Sequence, residues 1–258
     1  MDPDGAASGS AVTEDAPDLS VVMPVYNEGE AVEPVLRALD SAVRTPHEIL
    51  VVYDFDGDTT VPVIVRLTPE IDGLRGLRND LGRGVLNAMK AGLAEARGSY
   101  LLISMADGSD DPACIDSMVE LARSGADVVA GSRYMRGGRQ IGGPPLKRLM
   151  SRVAGLTLHW FAGVATHDPT NNFKIYRRQF IDSVRIESSA GFELALELTV
   201  KATLAGRPVA ELPTTWRDRT AGQSNFKLRK WLPHYLHWYR VAFEGRLRRL
   251  LARRPRPR

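Results

Sequence analysis

One cysteine, Cys114, is all that the 258 residues hold. No internal disulfide can staple the chain, so the fold must rest on packing, in a compartment expected to be reducing. No run approaches the roughly 18–20 uncharged apolar residues that span a bilayer. The acidic start lacks the basic flank and apolar stretch of a signal peptide. The chain is therefore expected neither to cross a membrane nor to be exported by that route, and to work in the cytoplasm. Lys and Arg are missing from the first 30 residues, which carry Asp2, Asp4, Glu14, Asp15, Asp18, Glu28 and Glu30. The turn after the first apolar run reads PVYNEGE instead of G-x-G-x-x-G, which argues against a dinucleotide-dependent dehydrogenase. A basic, glycine-rich stretch near the start is also missing, against a nucleotidyltransferase.

What is present suits one ordinary globule, with 43% hydrophobic residues and enough length to bury a sizeable core. Residues 1–17, small, acidic and proline-punctuated, are expected to be a disordered leader. Short β-branched runs then alternate with segments of helical period. Leu19–Pro24, His47–Asp54, Leu74–Arg78, Tyr100–Met105 and Asp127–Ser132 read as strands. Helices are expected over Glu28–Val43 after Asn27 as a cap, Thr59–Leu67, Gly84–Arg97 and Pro112–Arg123. Such alternation builds a mostly parallel α/β sheet covered on both faces, with ligands at the strands' carboxyl ends. A glycine-rich connector follows Tyr134, then a helix with Leu149, Val153, Leu156 and Trp160 recurring at three and four. Phe192–Leu204 reads as a helix, on which Glu193 and Glu197 are either a carboxylate pair or a solvated face, and Val209–Trp216 as an edge strand.

The stretches Pro24–Glu28, Asp54–Asp58 and Asp107–Asp111 are expected on the carboxyl rim. MPVYNEGE and VVYDFDGDTT offer Tyr26, Glu28, Asp54 and Asp56 to a base and ribose, although turn chemistry alone also favours such residues. NDLGRG could present backbone amides and Arg83 to phosphate oxygens at a helix start. SMADGSDDP packs three carboxylates into one turn, and hard oxygen ligands suit a divalent cation on a diphosphate. Met105 is a soft thioether and unsuited to magnesium. That leaves Asp107, Ser109 and one of Asp110 or Asp111, the last also a natural cap for the next helix.

Together the motifs SVVMPVYNEGE, ILVVYDFDGDTT, GRGVLNAMKAG, SMADGSDDP, GSRYMRGGRQIGG, HDPTNNFKIYRR and ELPTTWRDRTAGQSNFKL resemble glycosyltransferase family 2, in its dolichol-phosphate mannosyltransferase-like branch. The resemblance spans Leu19 to Trp238. It implies the GT-A fold over residues 18–227, followed by a C-terminal amphipathic helix and basic tail over 228–258. Two departures matter. Tyr53-Asp54 stands where many relatives have Asp-Asp, leaving GDP and UDP both open as the donor's nucleotide, and Met105-Ala106-Asp107 stands where they have Asp-x-Asp.

The resemblance implies an inverting enzyme that moves a sugar from a GDP- or UDP-sugar to a polyprenyl phosphate, with Mg2+ or Mn2+ as cofactor held by Asp107 and Ser109. Donor contacts are implied for Pro24, Tyr26, Glu28, Asp54, Asp56, Gly82, Arg83 and Asp107. Acceptor-phosphate contacts are implied for Arg133, Arg148, Ser151, Arg152 and Arg219. Asp107, Arg133 and Asp168 are the catalytic candidates, Asp168 orienting the acceptor or, failing that, acting as a base. A phosphate monoester has its second pKa near 6, so it is already an oxyanion at neutral pH and needs no strong base. His167 reads as structural. From Lys227 onward the chain carries ten more Lys and Arg against Glu244 alone. With the apolar stripe Trp231, Leu232, Tyr235, Leu236, Trp238, Tyr239, Ala242 and Phe243, that end is expected to lie on the inner face of a membrane as a peripheral anchor, the stripe's packing onto the catalytic domain being the rival reading. Nucleic acid is not the expected partner, and a homo-oligomer is left open. Two other functions stay in play: transfer to a soluble hydroxyl acceptor, and a sugar-nucleotide-binding subunit that has lost catalysis through Met105.

Overall fold

The computed structural model of the chain describes residues 16–218 and 228–252. The segment holding Arg219 and Lys227, the side chain of Trp231, most of the expected leader and the end of the basic tail lie outside the described residues. The elements alternate as expected: β1 (Leu19–Pro24), α1 (Val32–Ala42), β2 (His47–Tyr53), α2 (Val61–Leu67), β3 (Leu74–Arg78), α3 (Val85–Glu95), β4 (Tyr100–Ile103), α4 (Ile115–Arg123) and β5 (Val128–Ser132). Asn27 does not cap a helix. It has φ 54°, its N–H donates to Asp58 and its Oδ1 accepts from the Thr59 N–H, tying the loop after β1 to the loop after β2. A short 3-10 turn, Gly29–Ala31, then leads into α1.

The second half adds β6 (Arg139–Ile141), α5 (Pro145–Thr157) running into a π-helical turn (Leu158–Ala162), β7 (Lys174–Arg177), α6 (Arg178–Ser183), α7 (Leu194–Leu204), β8 (Val209–Pro213), β9 (Thr215–Arg217) and α8 (Leu228–Ala252). Among the described residues the main sheet has the order β3-β2-β1-β4-β7-β5-β8. Every pairing is parallel except those of β7, which runs antiparallel between β4 and β5. The sheet is mostly parallel, as expected, with one reversed strand, and that reversal positions the site. The carboxyl ends of β1, β2, β4 and β5 and the amino end of β7 all meet on one rim.

Side chains alternate across the strands. Val21 and Met23 join α1, α2 and α4 on one face, while Val22 and Leu50 join α3, α6 and α7 on the other. Gly92 lets α3 approach closely, because a Cβ there would lie 2.3 Å from Val22. A third cluster joins the π turn and α7 to Trp238 and Ala242 of α8. Part of the aromatic stripe read as a membrane anchor is therefore packed onto the rest of the fold: Trp238 and Ala242 are buried, Tyr235 donates to the Phe192 carbonyl and Tyr239 to Thr157. Among the described residues no helix is long and apolar enough to cross a membrane. Glu193 and Glu197 are not a solvated face. Both are buried and accept from the backbone N–H groups of Glu187, Ser188, Ser189, Ala190 and Gly191, so two carboxylates fold the loop that presents Phe192.

Candidate active site

The rim after β1 and β2 forms an aromatic corner. Tyr26 meets Phe55 edge-on at 6.0 Å, and the Arg83 guanidinium lies 4.8 Å from the Phe55 ring centre. Asp54 accepts from Asn79 Nδ2 and from the Gly84 N–H, both at 2.8 Å. It shapes the loop that carries Arg83, where Gly82 and Gly84 have φ values of 96° and 129° that L side chains rarely adopt. Pro24 ends β1 opposite Val52, and the Glu28 N–H donates to Thr60. Asp56 is exposed and 3.5 Å from Arg78, so it is not gathered into this corner.

The turn after β4 gives its three acids three tasks. Asp107 Oδ1 accepts from the Ser109 N–H, Asp110 Oδ2 from the Met105 N–H, and Asp111 from the Ala113 N–H as cap of the next turn. Asp107, Ser109 and Asp110 line a cavity of about 540 Å3 shared with Arg133, Arg148 and Ser151. Burial, then the neighbouring Asp107 charge, push the Asp110 carboxyl up to about 7.

Across the cavity stands a buried ion pair. The backbone N–H, Nε and Nη2 of Arg133 donate to the two Asp168 oxygens at 3.0, 2.7 and 2.9 Å. Burial alone would lower the guanidinium's pKa and raise the carboxyl's, but their mutual attraction wins, so Arg133 is held above its usual value and Asp168 below. Arg133 Nη2 also reaches Ser151 Oγ at 3.4 Å, and Ser151 shares a hydrogen bond with Thr170 at 2.9 Å. Beneath them Lys174, wholly buried, donates to the Asp168 and Asn171 carbonyls. Arg148 and Arg152 line an adjoining cavity of about 390 Å3 with Arg133, Tyr134 and Gln140. His167 is structural, its N–H and ring meeting Glu211.

The sequence matches the family model described as "Glycosyl transferase family 2" over residues 20–185. The chain belongs to glycosyltransferase family 2. This glycosyltransferase is 28% identical over 239 residues to a dolichol-phosphate mannosyltransferase of Pyrococcus furiosus, covering 90% of the chain and 66% of that protein. It is 29% identical over 226 residues to a polyprenol monophosphomannose synthase of Mycolicibacterium smegmatis, covering 85% of each. A glucosyl-3-phosphoglycerate synthase of Mycobacterium tuberculosis, solved with Mn2+, UDP and its glucosylated product, superposes with a TM-score of 0.62 at 17% identity, over 89% of this chain and 80% of that one. The fold of the glycosyltransferase is GT-A.

UDP is accompanied by Mn2+ in one M. tuberculosis structure and by Mg2+ in another. The residues of this glycosyltransferase fit such an ion in part. Asp107 and Asp110 are a mutually repelling pair of hard-oxygen donors on a buried rim, with Ser109 between them, and a divalent cation would relieve that repulsion. Met105 lines the same cavity and is too soft to contribute. Among the described residues no group of three or more His, Cys, Asp or Glu side chains converges to hold a metal. Asp107, Asp110 and Ser109 would hold the ion, completed by donor diphosphate oxygens and water. Three site residues were not singled out from sequence: Phe55, whose aromatic ring beside Asp54 was the available signal; Gln140, which accepts from Tyr134; and Lys174.

Proposed function

We propose that this glycosyltransferase moves a sugar, with inversion, from a nucleoside-diphosphate sugar to a polyprenyl phosphate at the inner face of a membrane. The carrying observation is the Arg133–Asp168 pair. Asp168 is buried and both of its oxygens are engaged by Arg133, so it is a positioning residue and not a base. An acceptor that arrives ionised needs no base, and a phosphate monoester is such an acceptor. Arg133, Arg148 and Arg152 around one pair of adjoining cavities supply the charge: two unit charges about 4 Å apart attract by roughly 4 kcal/mol at an effective dielectric of 20. The wall formed by Phe192, Trp216 and Leu232 is apolar and suits the first units of a lipid chain better than a soluble metabolite. The names of the two relatives support mannose as the sugar.

In this reading Tyr26, Phe55 and Arg83 grip the base end of the donor, and Asp54 holds their loop in place. The acceptor oxyanion, placed by Arg133 and Ser151, forms a bond to the anomeric carbon as the bond from that carbon to the diphosphate breaks on the opposite face. A cation on Asp107 and Asp110 would neutralise charge growing on the leaving diphosphate. Thermal shifts against GDP- and UDP-sugars with each metal, followed by radiolabel transfer to polyprenyl phosphate, test the proposal. Tight nucleotide binding without transfer, with either metal, would overturn it in favour of a binding subunit.

A further inference from the structure

Most of the apolar stripe noted on the helix after the glycine-rich connector faces outward. Leu146, Leu149 and Val153 of α5 are 64%, 59% and 50% exposed, and Trp160 and Phe161 of the π turn are each 69% exposed. Leu146, Leu149 and Val153 recur at three and four residues along one side of α5, at whose edge Leu149 also borders the cavity of Arg148 and Arg152, while Ser151 and Ala154 of the same helix line the larger cavity. From Gly142 to Thr166 the sequence contains no Asp or Glu but has Lys147, Arg148 and Arg152. The basic end of α8 adjoins this face, with Arg246 against Gly163 and Leu247, Leu250 and Leu251 exposed beside Arg248.

We propose that the α5–π-turn face, and not the aromatic stripe of α8, is the surface by which the protein lies on an anionic lipid bilayer, with its acceptor cavity opening at headgroup level. Three features favour lipid over a second copy of the chain. Aromatic and aliphatic side chains on a segment that carries cations and no carboxylate match an interface of anionic headgroups. An acid-free segment facing its own copy would set like charges against each other. One helix carries both the apolar face and part of the cavity wall, so a lipid phosphate could enter without leaving the headgroup layer. This last feature rests on the polyprenyl phosphate reading; the surface itself does not.

The test uses the full chain and vesicles of phosphatidylcholine with phosphatidylglycerol, compared with phosphatidylcholine alone. The expected result is flotation with the anionic vesicles that falls at least about tenfold in Val153→Glu with Trp160→Glu, each removing an inserted apolar group, at unchanged melting temperature. The same variant should still transfer sugar to a short, water-soluble isoprenyl phosphate but lose transfer to a vesicle-embedded long-chain one. Undiminished flotation of the variant would overturn the proposal. So would a dimer in sedimentation that the variant dissociates, which would assign the face to a second copy. Vesicle binding lost as expected, but no transfer to either phosphate by the unaltered protein, would retain the surface and sink the acceptor reading.

Discussion

Arg133 donates to one carboxylate from its backbone and from two side-chain nitrogens, so its guanidinium is aimed before any substrate arrives. Asp168→Asn leaves that cation buried with a neutral partner and should cost about 3–5 kcal/mol of stability, with transfer lost while donor binding persists. A base in that position would give the loss of transfer without the loss of melting temperature, so the two measurements together decide between the roles. Asp168 is held below its ordinary value of 3.8. Its contribution is therefore full at neutral pH and fades only as pH falls through that lowered value, so variant and parent should converge in strong acid. A second prediction concerns Asp107 and Asp110. With Asp107 and Asp110 the two carboxylates that the turn after β4 presents to the cavity, calorimetry should show weak Mn2+ binding to the free protein and strong binding once a nucleoside diphosphate is present, and Asp107→Asn should abolish the second without lowering the melting temperature.

At the scale of elements, α5 is held against the loop carrying Asp168 by one contact that only glycine permits. A Cβ at position 155 would lie 2.4 Å from the His167 carbonyl oxygen. Gly155→Ala should destabilise by roughly 1–3 kcal/mol, the usual cost of overpacking, and raise KM for the acceptor more than for the donor, since only the acceptor side of the cavity moves. The turn Asp107–Asp111 was legible as an oxygen-rich turn on the rim, but its division of labour was not. Which acid faces the cavity and which caps the next turn depends on where the chain goes after Pro112. The strand β7 was not legible at all, because Lys174 interrupts its apolar run. The lysine is there to bind the Asp168 and Asn171 carbonyls, so the residue that hides the strand is the one that organises the site.

At the scale of the molecule, Glu48 joins three parts of the sheet. It accepts from Ser20 of β1, from Arg75 of β3 and from Arg97 after α3. Burial pushes its carboxyl up, but these donors outweigh burial and leave it below its ordinary 4.5. Glu48→Gln should cost on the order of 1–2 kcal/mol at neutral pH, toward the low end for a buried pair because both arginines reach solvent. The difference should shrink in chemical denaturation as pH drops below about 4.5. Local periodicity by itself determined the alternating strands and helices, the rim and its acid-rich turn, because those signals lie within a few residues of one another, and the ordered motifs along the chain carried the resemblance to the family. Tertiary structure alone decided that β7 runs backward to bring Asp168 under Arg133. It also decided that Trp238 and Ala242 of the α8 stripe pack inward while Leu149, Val153 and Trp160 of the α5 stripe face out. An apolar face in a sequence looks the same whether protein or lipid covers it, and only the arrangement of distant segments determines which surface is already taken.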